Sequence, residues 1–342
     1  MFSPRFTYTN KLVSNIGTIR ESIGTLRERR FPTPVFVQLE KDARALSAFS
    51  STRIEGNPLP LTDVKKILKS RPEHIKNSER EVLNYNNALV HLNEIIQSKK
   101  PLSLTNEFIC RIQKMVTDGL LVEFSNGVYR RQPVFVNDPL LQKTVYWPPD
   151  HTDVLPFMND LIAYINTQET QIDYLILAGI FHQQFVIIHP FLDGNGRTTR
   201  LITKALLAKM GLDTFQLFSF ENYYNANITK YFQKVGMKGN YYDVYKTWDF
   251  TGWLEYFTDG ILDELQRVTA LLPQATSLED RLEPHHNAIL DLLRDKGVIK
   301  DSDYAQVTNR SRASRILDFQ KLGKLGMIQR NGKGRGTYYV LR

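Results

Sequence analysis

Apolar positions recur at helical spacing through most of the chain. From about Val37 to Ile54 they predict a helix that stops at Gly56, with Pro58 just beyond. "LTDVKKIL" predicts another helix, with Thr62 as its N-cap. Glu79 to Ile96 reads as a long amphipathic helix and Leu104 to Leu121 as a further one. The texture then changes. In "GVYRRQPVFVNDPLLQKTVYWPPD", residues 127–150, β-branched and aromatic residues alternate in "VFV" and "TVYW", with Asn137-Asp138-Pro139 between them. That pattern predicts a β-hairpin inside a helical protein. Helical patterns resume at Val154 to Thr167, Tyr174 to Ile188, Arg197 to Met210 (stopped by Gly211), Ala226 to Val235 and Thr251 to Leu272. The fold class is therefore mainly α.

The last residues follow a different logic. A Pro-containing stretch from Leu272 to Pro284 reads as a linker. After it come a helix over His285 to Lys296, two more helices in "DSDYAQVTNRSRASRILDFQKLGKLGMI", and a hairpin with a basic, glycine-rich tip in "IQRNGKGRGTYYVL". That order is the order of a winged helix-turn-helix. Ser311 to Leu322 would be the second helix of the pair, carrying Arg312 and Arg315, with Lys333 and Arg335 on the wing. These four are candidates for contact with DNA, and the competing reading is a winged helix used for protein contacts. The expected division is an N-terminal helical region (1–75), a core (76–272) and this module (273–342).

Composition narrows the classes only a little. The 342 residues are 42% hydrophobic and 23% charged, which suits a globular protein of two or three domains. Apolar runs such as Tyr174 to Ile180 are too short to span a bilayer, so no membrane partner is expected. The N-terminus has no apolar signal segment, and the single cysteine, Cys110, excludes an internal disulfide or a cysteine zinc cluster. A cytoplasmic location is the expectation. The net charge of +8 is compatible with anionic partners but does not identify one.

The candidate chemistry is concentrated in "HPFLDGNGRTTR", residues 189–200. Gly194-Asn195-Gly196 stands just before a helix whose first N–H groups lack internal partners, which makes an anion-binding cup. Arg197 and Arg200 lie three apart at that helix start, where the macrodipole disfavours cations unless an anion sits between them. Asp193 is a hard oxygen ligand suited to Mg²⁺ shared with a polyphosphate. His189, turned out of the preceding helix by Pro190, is the candidate general base. His182, upstream on the same helix, reads as a packing residue. No Lys-Ser/Thr follows the glycines and no strand precedes them, so neither a Walker A loop nor a Rossmann fingerprint fits.

The stretch resembles the signature of the Fic family, H-x-F-x-D/E-G-N-G-R-x-x-R, at every fixed position. The resemblance covers roughly residues 30–260. It implies Mg²⁺-dependent transfer of AMP from ATP to a hydroxyl side chain of a target protein. His189 would deprotonate the hydroxyl, Phe191 would anchor the loop, and Asp193 would hold Mg²⁺. Gly194, Asn195 and Gly196 would cradle the phosphates, with Arg197 and Arg200 neutralising them. The hairpin, with Tyr129-Arg130 and "VYWPP" (residues 145–149), resembles the flap that aligns a target by strand addition. Tyr223, Tyr224, Asn225 and Tyr231 fall where relatives line the adenine site.

"SSTRIEGNP" places Glu55 at the negative end of a helix, an unfavourable site for a carboxylate, with Ser51 one turn before it. Ser51, Glu55 and Gly56 match the inhibitory motif of Fic proteins, S/T-x-x-x-E-G/N. The resemblance implies that Glu55 pairs with Arg200 and blocks the γ-phosphate position, so that Glu55→Gly releases the enzyme. Two other functions stay open: a DNA-binding regulator that only senses nucleotide, and an enzyme that removes AMP with the help of Glu55. No pattern points to an oligomer, although a homodimer burying the inhibitory helix is compatible with the sequence.

Overall fold

The computed structural model describes residues 2–28, 33–70, 72, 74–98, 103–138, 143–209, 218–275 and 282–341. The chain divides into two compact units: residues 1–24 with 44–265, and residues 25–43 with 266–342. Helices dominate both.

The chain starts with α1 (Asn10–Glu28), a helix absent from the sequence-based expectation. Its buried positions Leu12, Asn15, Ile19, Ile23 and Leu26 form a stripe at helical spacing. Gly17 and Gly24 weaken the intrinsic signal. Tertiary partners compensate: Asn15 Nδ2 donates to Thr258 Oγ1 (3.0 Å) and Asp259 Oδ1 (2.9 Å). Next come α2 (Thr33–Ile54), α3 (Leu61–Lys69), α4 (Asn77–Gln97) and α5 (Asn106–Val116). Helix α3 begins at Leu61 behind Pro60, so Thr62 is inside the helix rather than its cap. Helix α5 is shorter than expected, because Thr105 caps it by accepting from Phe108 N (3.1 Å) and it ends at Val116.

Strands β1 (Val136–Asp138) and β2 (Lys143–Trp147) form the expected hairpin, antiparallel, with a register irregularity after Val136. Asn137 and Asp138 lie inside β1 and not in the turn, and Pro139 is outside the described residues. Helices α6 (Val154–Gln168), α7 (Tyr174–Ile188) and α8 (Asn195–Ala208) follow. The expected end of α8 at Met210 and Gly211 lies outside the described residues. A separate short helix, α9 (Glu221–Ala226), precedes the expected helix from Ala226 to Val235, which is α10 (Ile228–Val235) and starts two residues later because Asn227 leaves helical geometry to cap it. Strand β3 (Gly239–Asn240) pairs parallel to β2, giving the order β1-β2-β3, and α11 (Tyr241–Val244) and α12 (Thr251–Ala275) follow.

Helix α7 is the spine of the first unit. Asp173 caps it by accepting from Leu175 N (2.8 Å). Leu175, Ile176, Leu177, Ile180, Phe181 and Phe185 are fully buried. At about 1.5–3 kcal/mol for each such side chain, burial sets its position. Gly179 permits a close approach, since a Cβ there would lie 2.6 Å from Leu254 Cδ2, and its carbonyl accepts from Trp253 Nε1 (2.8 Å). Helix α8 packs on α7 and is also covered by α4 and α5. The loop of residues 189–194 therefore joins two well-packed helices.

In the second unit, α13 (Pro284–Lys296), β4 (Val298–Ile299), α14 (Asp301–Ala305), α15 (Arg312–Lys324), β5 (Ile328–Asn331) and β6 (Tyr338–Leu341) follow in order. The sheet order is β4-β6-β5, antiparallel throughout. Its core includes Ile289, Leu293, Tyr304, Phe319, Leu322 and Ile328, with the Phe319 and Tyr339 rings stacked 3.9 Å apart. Ser311 is the N-cap of α15. The expected linker begins inside α12, which runs to Ala275, and residues 276–281 lie outside the described ones. No helix among the described residues is long and apolar enough to cross a membrane.

Candidate active site

The loop between α7 and α8 carries the expected residues and holds them by specific bonds. His189 is the C-cap of α7 with φ 51°, the one positive-φ non-glycine among the described residues. That left-handed turn throws its side chain out of the helix path, a strained geometry that surrounding bonds must hold. Arg130 does so. Its N–H donates to Pro190 O (2.9 Å), its Nε to His189 O (2.9 Å) and its Nη2 to Pro149 O (2.5 Å). Phe191 is fully buried against Tyr129 and Phe185 and pins the loop from below.

Asn195, the first residue of α8, accepts from Phe191 N at Oδ1 (2.9 Å) and donates to Phe191 O from Nδ2 (2.8 Å). Its amide is spent on shaping the loop, which leaves its backbone N–H as the group it can offer an anion. Gly194 is the N-cap, with φ 78°, and supplies no side-chain cap. A Cβ there would meet Thr117 Cγ2 at 2.7 Å. Gln113 fastens the other side, donating to Asp193 O (3.1 Å) and accepting from Gly127 N (2.6 Å).

Around this uncapped helix start lie the two arginines, Arg197 at 2% exposure and Arg200 at 0%. Arg197 Nη2 donates to Asp193 Oδ2 (2.8 Å), and its Nη1 is 3.7 Å from Glu81 Oε1. Arg200 donates from Nε to Ser51 Oγ (2.8 Å), and from Nη2 to Ser51 O (2.9 Å) and Glu55 Oε1 (2.7 Å). Burial is the largest influence and works against the charge on Arg200, but the Glu55 carboxylate together with Tyr231 and Tyr85 outweighs it, and the guanidinium is held more firmly protonated than usual. Arg197 Nε and Nη1 and Arg200 Nη1 are buried donors without a hydrogen-bond partner. Orphaned buried donors are costly, and one of them, Arg200 Nη1, lies at the start of α8, 3.0 Å from where a Cβ on Gly196 would stand. Glu55 Oε1 already sits over that helix start: a Cβ added to Gly196 would be 2.1 Å from it. Gly56, with φ 93°, ends α2 just after the carboxylate.

His189 Nδ1 faces Val186 O at 3.3 Å. A carbonyl only accepts, so the ring proton is on Nδ1 and Nε2 keeps its lone pair. Burial lowers the imidazole pKa below the ordinary 6.5, which keeps the ring neutral at pH 7. His182 is a core residue with both nitrogens bonded. Thr203 Oγ1 gives its proton to Thr199 O (2.8 Å), so it accepts from His182 Nδ1 (3.1 Å), and Nε2 in turn accepts from Tyr231 OH (3.0 Å). Tyr231, 1% exposed, stacks on Tyr224 at 4.8 Å. Tyr224 is fully buried, and Tyr223 packs on Tyr256. Asn225 Oδ1 is buried without a partner.

The hairpin rests on the end of α7 through Tyr146 OH, which donates to Ile187 O (2.8 Å). Strand β1 is the outer strand of its sheet.

The structure thus brings together His189, Asp193, Gly194, Asn195, Gly196, Arg197, Arg200, Ser51, Glu55 and Gly56. Arg130, expected as part of the flap, instead braces the His189 turn, and three further supporting residues have no motif to announce them: Gln113, Glu81 and Asn57, the last donating to Glu81 Oε2 (2.7 Å) and Ser78 O (2.8 Å). Gln113 alone left a trace, as a polar residue on the buried stripe of Ile109, Ile112 and Val116.

The second-unit candidates are arranged differently. Arg312 and Lys333 are exposed, and the Arg335 side chain lies outside the described residues. Arg315 is committed within its unit: Nε and Nη2 donate to Asp301 (2.8 Å each) and Nη1 to Arg310 O (2.9 Å). His285, His286 and Asp318 bring potential metal-ligating atoms within 4.8 Å of one another. Asp318, however, already accepts from Arg310 Nε (2.7 Å) and Nη2 (3.0 Å). His286 Nδ1 accepts from Glu283 N (3.0 Å), which leaves the ring proton on Nε2, the nitrogen that would have to bind.

Comparison with known proteins gives this geometry a context. The Fic/DOC family model matches residues 103–207. Relatives named protein adenylyltransferase Fic include one from Aedes aegypti, 30% identical over 50% of this chain and 34% of its own length. Another, from Nematostella vectensis, is 31% identical over 50% of this chain and 39% of its own length. The chain thus spans little more than a third of these curated relatives. Among solved structures, a Fic family protein from Desulfovibrio desulfuricans G20 aligns with a TM-score of 0.65 at 20% identity, over 100% of this chain and 98% of that one. A C. elegans Fic-1 fragment aligns with a TM-score of 0.59 at 21% identity, over 78% of this chain and 72% of that one. These two likenesses show the fold.

Proposed function

We propose that this chain, whose residues 103–207 match the Fic/DOC family model, transfers AMP from ATP to a hydroxyl side chain of a target protein and that Glu55 restrains this activity. One observation carries the proposal: an anion, the Glu55 carboxylate, lies over the start of α8, which has no side-chain cap, against an Arg200 guanidinium that keeps one orphaned donor, with the His189 base within its electrostatic reach. A polyphosphate fits the same donors. Arg200 Nη1 and Arg197 would take its outer oxygens, and the backbone N–H groups at the start of α8 would take the inner ones. Asp193, exposed beside Arg197, would hold Mg²⁺, which would neutralise phosphate charge.

In this reaction the target hydroxyl oxygen attacks the α-phosphorus. The bond from that phosphorus to the bridging oxygen of the β-phosphate breaks, and pyrophosphate leaves. The hydroxyl proton passes to His189 Nε2, which Nδ1–H···O=C Val186 orients for it. The outer edge of β1 is suited to align an extended target segment. Asn225 Oδ1, buried and unpartnered, suits an adenine amino group, while Tyr231 backs the site through His182. The second unit has the element order of a winged helix-turn-helix, with Arg312 and Lys333 as the basic groups free to meet DNA.

The test is labelling with ATP tagged at the α-phosphate, with Mg²⁺ and cell lysate. Label should be weak with the unaltered chain, rise about 5–150-fold in Glu55→Gly, and vanish when His189→Ala is added. No label in any variant that still binds ATP would overturn the proposal in favour of nucleotide sensing. Glu55-dependent loss of AMP from a modified target would assign AMP removal.

A further inference from the structure

The face of α2 that leads to Glu55, the residue just after its last turn, meets α8 in a regular ladder. Gly196 lies under the Glu55 carboxylate, Arg200 Nε donates to Ser51 Oγ (2.8 Å), and Lys204 Nζ donates to Ser47 Oγ (2.8 Å). Each step of four residues forward along α8 is matched by four backward along α2. The helices run antiparallel with one side-chain rung per turn, roughly 6 Å apart.

The third rung lies two turns from the phosphate cup and is as enclosed as the second. Lys204 and Glu221 side chains are 1% and 0% exposed, with Nζ 3.0 Å from Oε2. Lys204 also donates to Phe218 O (2.8 Å). Tyr85 OH donates to Glu221 Oε1 (2.5 Å), and the Ser47 hydroxyl is 3.4 Å from Glu221 Oε2. The ammonium group thus has Ser47, Glu221 and Phe218 around it, and of these only Ser47 belongs to α2. A buried ion pair is weak as a source of net stability, but it is demanding about geometry. If α2 slid by one residue, it would advance about 1.5 Å and turn about 100°. Ser47 would leave Lys204, and Glu55 would leave the cup.

We propose that the Ser47–Lys204 rung, backed by Glu221 and Tyr85, is a positioning device that fixes the register of α2 and so sets how deeply Glu55 sits in the phosphate cup. Ser47, Lys204, Glu221 and Tyr85 touch no reacting atom in this scheme. They act through Glu55, and the consequence for activity rests on the autoinhibited AMP-transfer reading above.

The test uses the full chain and two readouts. The first is backbone amide exchange over residues 51–56 without nucleotide. The second is α-phosphate labelling in Glu55 and Glu55→Gly backgrounds. Ser47→Ala should speed exchange at the end of α2 and raise labelling about 5-fold when Glu55 is present. It should leave labelling unchanged in Glu55→Gly, where register no longer matters. Lys204→Met combined with Glu221→Met, which replaces the pair with apolar side chains of similar length, should give the same pattern if Ser47→Ala folds poorly. Unchanged exchange over residues 51–56 would overturn the proposal. So would an equal fall in labelling in both backgrounds, the signature of a merely structural role. If no variant labels, Glu55→Gly included, the AMP-transfer reading fails while exchange still decides the register.

Discussion

Helices α8 and α15 each carry two arginines three residues apart near their starts, Arg197 and Arg200 in one, Arg312 and Arg315 in the other. The two starts differ in what is left unsatisfied. Ser311 caps α15, its Oγ accepting from Ser314 N (3.2 Å), and Arg315 spends its fork on Asp301 and the Arg310 carbonyl. At α8 the cap is a glycine in left-handed geometry with no side chain to accept from the first N–H groups, and Arg200 Nη1 is buried and unpaired. A helix start with its donors closed by its own chain is a structural terminus. One with its donors held open in a buried cup is built for an anion. The same residue types at the same spacing thus mean different things, and the local backbone and the burial decide which.

The largest effect that could break this comparison comes from the arginines themselves. In a Glu55→Gly background, Arg200→Met should cut labelling by about 10²–10³-fold, the scale of losing one donor aimed at transition-state charge. Arg315→Met should leave labelling unchanged and lower only the melting temperature of the second unit. Equal losses from the two substitutions, measured side by side with tagged ATP, would mean that the open donors at α8 are not what distinguishes it.

What the sequence made legible follows the same divide. The loop at residues 189–200 could be read because its parts are contiguous, and Glu55 because an acid at a helix end is locally out of place. Glu81 and Lys204 could not, and Arg130 was legible only as part of the flap resemblance, since their value lies in partners far along the chain: His189 for Arg130, Arg197 for Glu81, Ser47 for Lys204. Lys204 did leave a hint, as a lone charge in the apolar run "LITKALLA". Among the helices, α1 escaped because Gly17 and Gly24 dilute a stripe that packing against α12 completes. The break at Asn227 escaped because an interior asparagine turns into a cap only when the backbone there leaves the helix. The spare arginine in the pair at α15 was indistinguishable from a ligand-binding one until Asp301 was placed beside it.

Acidity should separate the two regions next. His189 acts as a neutral base, and burial lowers its pKa below 6.5. Labelling by Glu55→Gly should therefore hold as pH falls from 7.5 through 6.5 and drop only below that, about tenfold for each further unit once the ring is mostly protonated. The Arg315–Asp301 pair answers to a different group. Its hydrogen bonds from Arg315 hold the Asp301 pKa below the ordinary 3.8. A depressed carboxylate pKa gives stability that is present above 3.8 and is lost as pH falls through the folded value. The second unit should thus keep this contribution across the range where labelling fades. A pH–rate profile and thermal melts on the same samples would show it. An acid limb above pH 6.5 would mean that His189 is not the buried neutral base.

The smallest effects concern the caps, and they test the comparison at its root. Gly194→Ala places a Cβ at φ 78° and 2.7 Å from Thr117 Cγ2. It should cost about 1–2 kcal/mol from the left-handed geometry, and the clash can only add to that. It should also depress labelling, because the loop cannot keep its turn. Ser311→Ala removes one capping acceptor from α15 and should cost the second unit about 1 kcal/mol. Labelling should be untouched, since an alanine at Ser311 changes no donor at α8. Denaturant melts paired with labelling would separate the two outcomes. If Ser311→Ala lowered labelling as Gly194→Ala does, the starts of α8 and α15 would be energetically linked. The distinction between a closed terminus and an open one would then describe one coupled device instead of two independent helix ends.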